Sequence, residues 1–580
     1  LTQSCIENWH KAVRDGIDNE GIRYLTVYLP ALGKTLDQSL STDHAVFHIS
    51  PAIPAELYEI VWNPLTGRPL NPPFTEVQTE VVMALRQFLY LLYKLELPYH
   101  PIDEIKIIEG FVETDRGLPE LTFQKDPVLR KARRFTTQVF QGFNPREIIP
   151  AHGPGAVATG EAIQEKGEFK RIYRALERFY PFTEYFMYSV SHVADAYDWL
   201  QSREYLEHGT AKVVLVPKDS RGPRLISCEP LEYQWIQQGL LRKMVAFLET
   251  HRSSAGFVNF TDQSVNQWLA SLGSAQTVGK PSVASSSEYV TLDMKDASDR
   301  VSLSLVEQLF SGTELWHALM ACRTPATKLP DGRVFGMKKF APMGSAVCFP
   351  VEAWCFYVLA LAVLSAHHCE SMEDSVGRIY VYGDDIVCKR EDYPLLLRYF
   401  PEVGLKFNEG KCCTGGFFRE SCGVDAFAGT DVTPLKLRTV WSHRRSPDSL
   451  LSYVAYTNGF EARGYFRTAS YLRKVIVSKY GPVPYASHEC VAYVSFTGMT
   501  WMASVQENKK QGFKYRFNRN TQQLEILASV PHTKHVRSVS HSGWAEMLRS
   551  TLRPTGGPSG LHPVRRRVYL RRRWSVAYTM

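Results

Sequence analysis

The sequence predicts an α+β protein in which helices dominate the first half and strands gather in the middle. Apolar residues recur at helical spacing from 79 to 95 and from 169 to 206, whereas short runs rich in Ile, Val and Tyr, bounded by turn residues, concentrate between 211 and 425. The acids and cations that suggest chemistry fall in that strand-rich middle, and a further basic cluster closes the chain.

At 580 residues the chain can bury a large core, and ordinary domain sizes divide it into about three or four units. With 44% hydrophobic and 22% charged residues it has a globular composition. The apolar run at 353–366 covers about 14 positions behind Pro350 and Glu352, short of the roughly 20 needed to span a bilayer, so a buried core helix and no membrane partner are expected. No charged and apolar leader is visible at the start, which makes a cytosolic location the expectation. Eleven cysteines without a CxxC pair argue against a disulfide framework and a structural zinc site. Cys412-Cys413 and His367-His368-Cys369 lack ligand spacing and read as packing residues.

Gly/Pro-rich breaks fall at 63–73, 152–155 and 554–563, the last resembling a linker into the basic terminus. Val213-Val214-Leu215-Val216-Pro217-Lys218 reads as a strand, and Lys218, Arg221 and Arg224 at its end supply the point charge and planar forks that suit phosphate. Tyr289-Val290-Thr291-Leu292-Asp293 is a second strand, ending in an acid. Asp299 follows shortly, able to accept a hydrogen bond from a sugar hydroxyl or to cap a helix expected from Val301. Gly344-Ser345 opens a loop ahead of a helix, a place for close backbone approach to a sugar or simply a turn.

In Tyr382-Gly383-Asp384-Asp385, a Gly-Asp turn joins the apolar runs 378–382 and 386–388 as a hairpin, with both acids at its tip. Such adjacent carboxylates repel unless a cation neutralises them, although a solvated turn fits the same four residues. If the strand ending at Asp293 lies beside this hairpin, the cluster of Asp293, Asp384 and Asp385 suffices for two Mg²⁺ ions of the kind that drive in-line phosphoryl displacement.

Near the end, Phe513-Lys514-Tyr515-Arg516-Phe517 alternates with period two. As a strand it carries aromatics on one face and Lys514 and Arg516 on the other, suited to single-stranded nucleic acid or to a half-buried sheet position. The last fifty residues hold ten Lys and Arg, among them Arg565, Arg566, Arg567, Arg571, Arg572 and Arg573, against one acid. That is the footprint of a nucleic-acid contact, or of a solubilising tail.

Taken in order, these segments resemble a known family. Thr291-Leu292-Asp293 through Asp299, Met343-Gly344-Ser345 through Glu352, and Tyr382-Gly383-Asp384-Asp385 are similar to motifs A, B and C of viral RNA-directed RNA polymerases. Asp262-Gln263-Ser264-Val265-Asn266-Gln267, Phe418-Arg419-Glu420-Ser421-Cys422-Gly423, Asp431-Val432-Thr433-Pro434, Val216-Pro217-Lys218 and Glu229-Pro230 narrow it to the replicase catalytic subunit of single-stranded RNA bacteriophages of the Q-beta type, over about 150–440.

The resemblance implies a right-hand polymerase fold with an antiparallel palm sheet flanked by helices. It would divide into a helical N-terminal region and fingers at 1–210, fingers and palm at 211–285, palm at 286–430, and thumb with the basic segment at 431–580. It implies Mg²⁺, with Mn²⁺ as a substitute, on Asp293, Asp384 and Asp385, and ribose recognition by Asp299. Lys218, Arg221 and Arg224 would lie over the triphosphate as motif F, Lys411 would donate a proton to pyrophosphate, and Phe418 to Gly423 would form the motif E turn beside the priming strand. Ser345 stands where these phages often have Asn, and Cys348 where they often have Thr, which puts sugar selection by that loop in question. The implied partners are template and product RNA, nucleoside triphosphates, and host elongation factors Tu and Ts with ribosomal protein S1, in the host bacterial cytoplasm. A reverse transcriptase shares the palm, but an acid at Asp299 favours a ribose; a non-catalytic RNA-binding protein is the rival of another class.

Overall fold

The computed structural model describes residues 2–122, 126–162, 165–187, 201–275, 288–490, 492–533 and 568–577. Helices and strands are mixed as an α+β protein. The helices used below are α1 (Glu76–Tyr90), α2 (Pro101–Arg116), α3 (Leu231–Leu248), α4 (Ser264–Ser274), α5 (Ala297–Arg300), α6 (Leu303–Phe310) and α7 (Cys348–His367). The strands are β1 (Thr210–Asp219), β2 (Gly222–Cys228), β3 (Tyr289–Asp293), β4 (Ile379–Tyr382), β5 (Asp385–Lys389), β6 (Phe418–Ser421), β7 (Val424–Phe427), β8 (Tyr515–Asn518), β9 (Gln523–Thr533) and β10 (Val568–Val576).

The central sheet has the order β3-β5-β4, all antiparallel. The three central residues of β3 and of β5 are all buried, only β4 alternates buried with half-buried positions, and Val290, Leu292, Val381, Ile386 and Cys388 sink into the largest core cluster. Helix α7 fills the centre of that cluster. It is the one helix among the described residues long and apolar enough to cross a membrane, and 94% of its apolar window is buried inside the protein. Its apolar character on every side is that of a core helix, as expected.

The N-terminal helices form a second core, which closes over the β6–β7 hairpin through Phe418, Phe427 and Val432. α1 starts at a capping box in which Thr75 and Gln78 satisfy each other's backbone amides. From its buried face Arg86 bonds Asp37 Oδ1 and Asp425 Oδ2, each at 2.7 Å, and the Val432 carbonyl at 2.6 Å. One guanidinium thus ties the first hundred residues to β7 and the segment following it.

Two sequence expectations need correction. The stretch 169–206 is not one helical region: Arg171–Tyr173 is a strand paired in parallel with Glu204–Leu206, and the helices between them that are described have four residues each. Its dense aromatics imitate helical spacing while filling the main core from short segments. Nor does a helix start at Val301 under an Asp299 cap. Asp299 lies inside the short α5, and Ser302 caps α6 by accepting the Leu305 amide at 2.9 Å. The break at 554–563 lies outside the described residues, whereas Arg571, Arg572 and Arg573 belong to β10, opposite Val530, Ser529 and Ala528 of β9.

Candidate active site

Gly383 and Asp384 are the two turn residues of the β4–β5 hairpin, since Tyr382 pairs with Asp385. Gly383 takes φ 61°, the left-handed conformation that two-residue hairpins need and that glycine adopts cheaply. Across the other ladder Asp293 stands directly opposite Asp385. The three carboxylates expected to converge therefore share one end of the sheet.

Their surroundings are asymmetric. Asp385 is half-buried, and its Oδ2 accepts the Cys422 amide of the β6–β7 turn at 3.0 Å; burial and then the Asp384 charge push its carboxyl up to about 6. Asp384 is exposed at the turn, but the recess around it is dense enough that burial, followed by Asp293, raises its carboxyl as well. Asp293 is already engaged: Lys411 Nζ donates to Oδ1 at 2.7 Å and Asn408 Nδ2 to Oδ2 at 2.8 Å. Burial pulls the Lys411 ammonium down, but Asp293 and Glu420 outweigh it and hold the proton more tightly than usual.

Three hard oxygen donors under mutual repulsion suit a divalent cation such as Mg²⁺. Among the described residues, however, no three His, Cys, Asp or Glu side chains form a ready-made metal cage. The donor chemistry fits, and ligation through Asp293 would require Lys411 to release it.

The cations lie on the β1–β2 hairpin. Lys218 and Arg224 are exposed on its strands. Arg221 is a partial correction: Asp219 holds it at 2.8 Å, so its charge is largely offset before any phosphate arrives. Burial and then Arg224 lower the Lys218 ammonium, with Lys411 and Arg221 close enough to add to the effect. Lys34, from the helix Leu29–Ser41, joins the same group, because Arg221, Lys411 and Lys218 all depress its ammonium after burial does. Arg224 is also close enough to Asp384 to partly offset its raised carboxyl, which sets the cations beside the acids.

Gly344 has φ 128°, and a Cβ there would lie 2.1 Å from the Ser227 carbonyl, so only glycine lets this loop rest on β2. Ser345 does not face solvent: it is buried, and its Oγ has no hydrogen-bond partner among the described residues. Asp299 Oδ1 is bonded to Lys339 Nζ at 3.0 Å. Below the acids, Glu352 of α7 is buried beside the Cys348 thiol at 3.8 Å, and burial, followed by Asp384, raises its carboxyl well above the usual range.

The C-terminal sites stand apart from this cluster in the chain. Arg571, Arg572 and Arg573 are exposed on β10, while Arg565, Arg566 and Arg567 lie outside the described residues. Lys514 is exposed just ahead of β8, and Arg516 is partly neutralised by Glu525 at 2.6 Å and stacked over Trp574. Phe513 is in the local core and Phe517 is exposed, so the expected aromatic face is divided.

Lys34, Asn266, Lys339, Glu352 and Asn408 were not singled out from the sequence. Asn266 and Glu352 lay within segments that carried the resemblance, and Asn408 three residues ahead of Lys411. Asn266 and Gln267 of α4 donate to the Asp385 and Cys422 carbonyls at 3.3 and 3.0 Å, fastening the acidic hairpin to the β6–β7 turn.

Comparison with known proteins matches residues 170–450 to the family described as RNA replicase, beta-chain. The RNA-directed RNA polymerase subunit beta of Qbeta virus (strain MX1) is 33% identical over 228 residues, which are 39% of this chain and 35% of that protein. The corresponding subunit of Enterobacteria phage SP is 35% identical over 227 residues, 39% of this chain and 36% of its own. The RNA-directed RNA polymerase beta chain of Escherichia phage MS2 is 31% identical over 226 residues, 39% and 37% of the two chains. The aligned stretch thus spans little more than a third of each of these relatives. The match to the RNA replicase beta-chain family, over residues 170–450, contains the sheet end with Asp293, Asp384 and Asp385 together with Lys218, Arg221 and Arg224, and it is to this family that the chain is similar.

Proposed function

We propose that the chain is an RNA-directed RNA polymerase that replicates the genome of a positive-strand RNA phage, adding nucleotides from nucleoside triphosphates and releasing pyrophosphate. The observation that carries the reading is the register of the central sheet, which sets Asp293 opposite Asp385 with Asp384 at the adjoining turn. When bound there, two Mg²⁺ ions would activate the RNA 3'-hydroxyl and stabilise the leaving pyrophosphate.

The chain's own residues then have distinct tasks. Lys218 and Arg224, supported by Lys34 and by Arg221 on its Asp219 partner, receive the triphosphate. Asp299 accepts the ribose hydroxyl. The Gly344-Ser345 loop borders the sugar through its backbone, since the Ser345 hydroxyl is buried. Lys411 keeps its proton beside Asp293 and is the donor to pyrophosphate. Arg571, Arg572 and Arg573, with Lys514, offer RNA an exposed basic surface. By resemblance the fold is a right hand with fingers, palm and thumb at the boundaries given above. By the same resemblance the partners are elongation factors Tu and Ts and ribosomal protein S1 in the bacterial cytoplasm, and Mn²⁺ can replace Mg²⁺.

The test is Asp385→Asn. Loss of RNA-templated ribonucleotide incorporation with RNA binding retained is expected. Unchanged synthesis, or a wild type that prefers deoxynucleotides, refutes the proposal.

A further inference from the structure

We propose that Lys339 is the positioning residue for Asp299, pinning the carboxylate that reads the ribose of the incoming nucleotide; the inference rests on the polymerase reading above. The Lys339 side chain is completely buried. Its ammonium lies 3.0 Å from Asp299 Oδ1 and 3.9 Å from Asp115 Oδ1, over the Phe111 ring at 3.4 Å from the centroid. The two carboxylates are not equivalent partners. Asp115, on α2, already accepts the Lys338 and Lys339 amides at 2.9 and 2.8 Å, so it serves the backbone, and the ammonium donates to Asp299 at 3.0 Å and, at a longer 3.4 Å, to the Phe111 carbonyl.

The backbone around Lys339 leaves the ammonium little freedom to retreat. The Leu303 amide donates to the Lys338 carbonyl and the Phe340 amide to the Val301 carbonyl, both at 2.8 Å, which clips this segment to the residues just after Asp299. Arg323, itself buried, donates to the Met337, Lys339 and Phe340 carbonyls at 2.7, 2.9 and 2.8 Å. From the other side, Asp296 at φ 51° turns the chain back between Asp293 and α5, which brings Asp299 to the ammonium. Asp299 itself is only partly covered, with a quarter of its side chain exposed, and its Oδ2 carries no hydrogen bond among the described residues. One oxygen is fixed by a cation and the other remains available to accept from a sugar hydroxyl. A purely structural position would be filled more cheaply by an apolar side chain than by a buried ammonium.

The experiment measures kcat/KM for ribo- and deoxyribonucleoside triphosphates on a primed RNA template with the full chain carrying Lys339→Met or Lys339→Gln. Gln keeps an N–H donor and serves as the second variant if Met prevents folding; Asp299→Asn with Lys339→Met removes both charges together. The preference for ribonucleotides should fall roughly 10- to 100-fold with Met, as expected for loss of a hydrogen bond to a charged group, and by less with Gln, which loses the charge but keeps a donor, with the deoxynucleotide values nearly unchanged. In an Asp299→Asn background the same Lys339 change should leave the ratio within about twofold, because the two residues act as one unit. Equal losses on both sugars, with an unchanged ratio, overturn the assignment and leave Lys339 a packing residue. A wild type without RNA-templated synthesis overturns the polymerase reading itself, whereas a discriminating wild type beside an equally discriminating variant overturns only the role of Lys339.

Discussion

Replacing Gly383 by alanine tests whether the geometry of the acidic turn, rather than its charge alone, produces activity. A Cβ at this position would lie 2.2 Å from Phe349 Cε2 and 3.1 Å from two further atoms of the ring, where ordinary contact begins near 3.4 Å. Phe349 packs against Phe260 and Tyr382, with ring centroids at 5.6 and 5.7 Å, so the ring has neighbours on both sides and the hairpin tip must yield instead. The required shift is on the order of 1 Å, and the left-handed φ adds about 1–2 kcal/mol for any residue with a Cβ. Misplacing reacting groups by about 1 Å costs roughly 10²-fold in rate. Ribonucleotide incorporation on a primed RNA template should therefore fall about 10²-fold while RNA affinity stays near that of the wild type. Phe349→Leu in the same chain should restore part of the loss by removing the ring edge. An alanine variant within twofold of wild-type incorporation would refute the reasoning.

Three other outcomes are expected. Arg86→Met strands Asp37 and Asp425 without their shared partner and should destabilise the fold by about 3–5 kcal/mol, read from denaturant unfolding. Glu232 is buried, and burial raises its carboxyl from 4.5 to about 7, so the folded state keeps this proton to higher pH than the unfolded chain does. Its contribution to stability is complete below about 4.5 and is lost as pH rises to about 7, and Glu232→Gln should flatten the stability profile across that window. Replacing Arg571, Arg572 and Arg573 by alanine should reduce the slope of log affinity for single-stranded RNA against log salt by about 2, and an unchanged slope would remove these residues from the RNA surface.

What could be read from the sequence was what local chemistry encodes. The acidic hairpin and the strand ending at Asp293 announce themselves through short apolar runs and a Gly-Asp turn, and the structure pairs them as expected. The core role of α7 followed from its length and apolar content. The errors arose where a residue's role depends on a partner far along the chain. Asp299 reads locally as a helix cap, and only the return of the segment at 337–340 supplies its cation. Lys34 lies in an ordinary amphipathic helix that gives no hint of the distant cations beside it. Arg221 misleads for the opposite reason: its partner Asp219 is only two residues away, but the register shift between Val216 and Asp219 that accompanies their turn is not written in residue type.

The segments that carry the narrower phage resemblance have a physical reason to accompany the acids. Asp262 accepts the Ser264 amide at 2.8 Å at the entry to α4, whose Asn266 and Gln267 then reach the Asp385 and Cys422 carbonyls. Cys422 and Gly423, with φ 49° and 80°, make the left-handed turn of the β6–β7 hairpin, and the Cys422 amide points at Asp385 Oδ2. Arg419, buried on β6, bonds the Tyr289 carbonyl at 2.9 Å at the far end of the strand that ends in Asp293. Each of these contacts holds a carboxylate-bearing strand by its backbone or by a single oxygen, so the acids keep lone pairs for a cation while their positions are set by neighbours that need never touch it. Changes in these supports should therefore displace Asp385 without altering the charge of the site, which is why they belong with the acids as one unit rather than with the core.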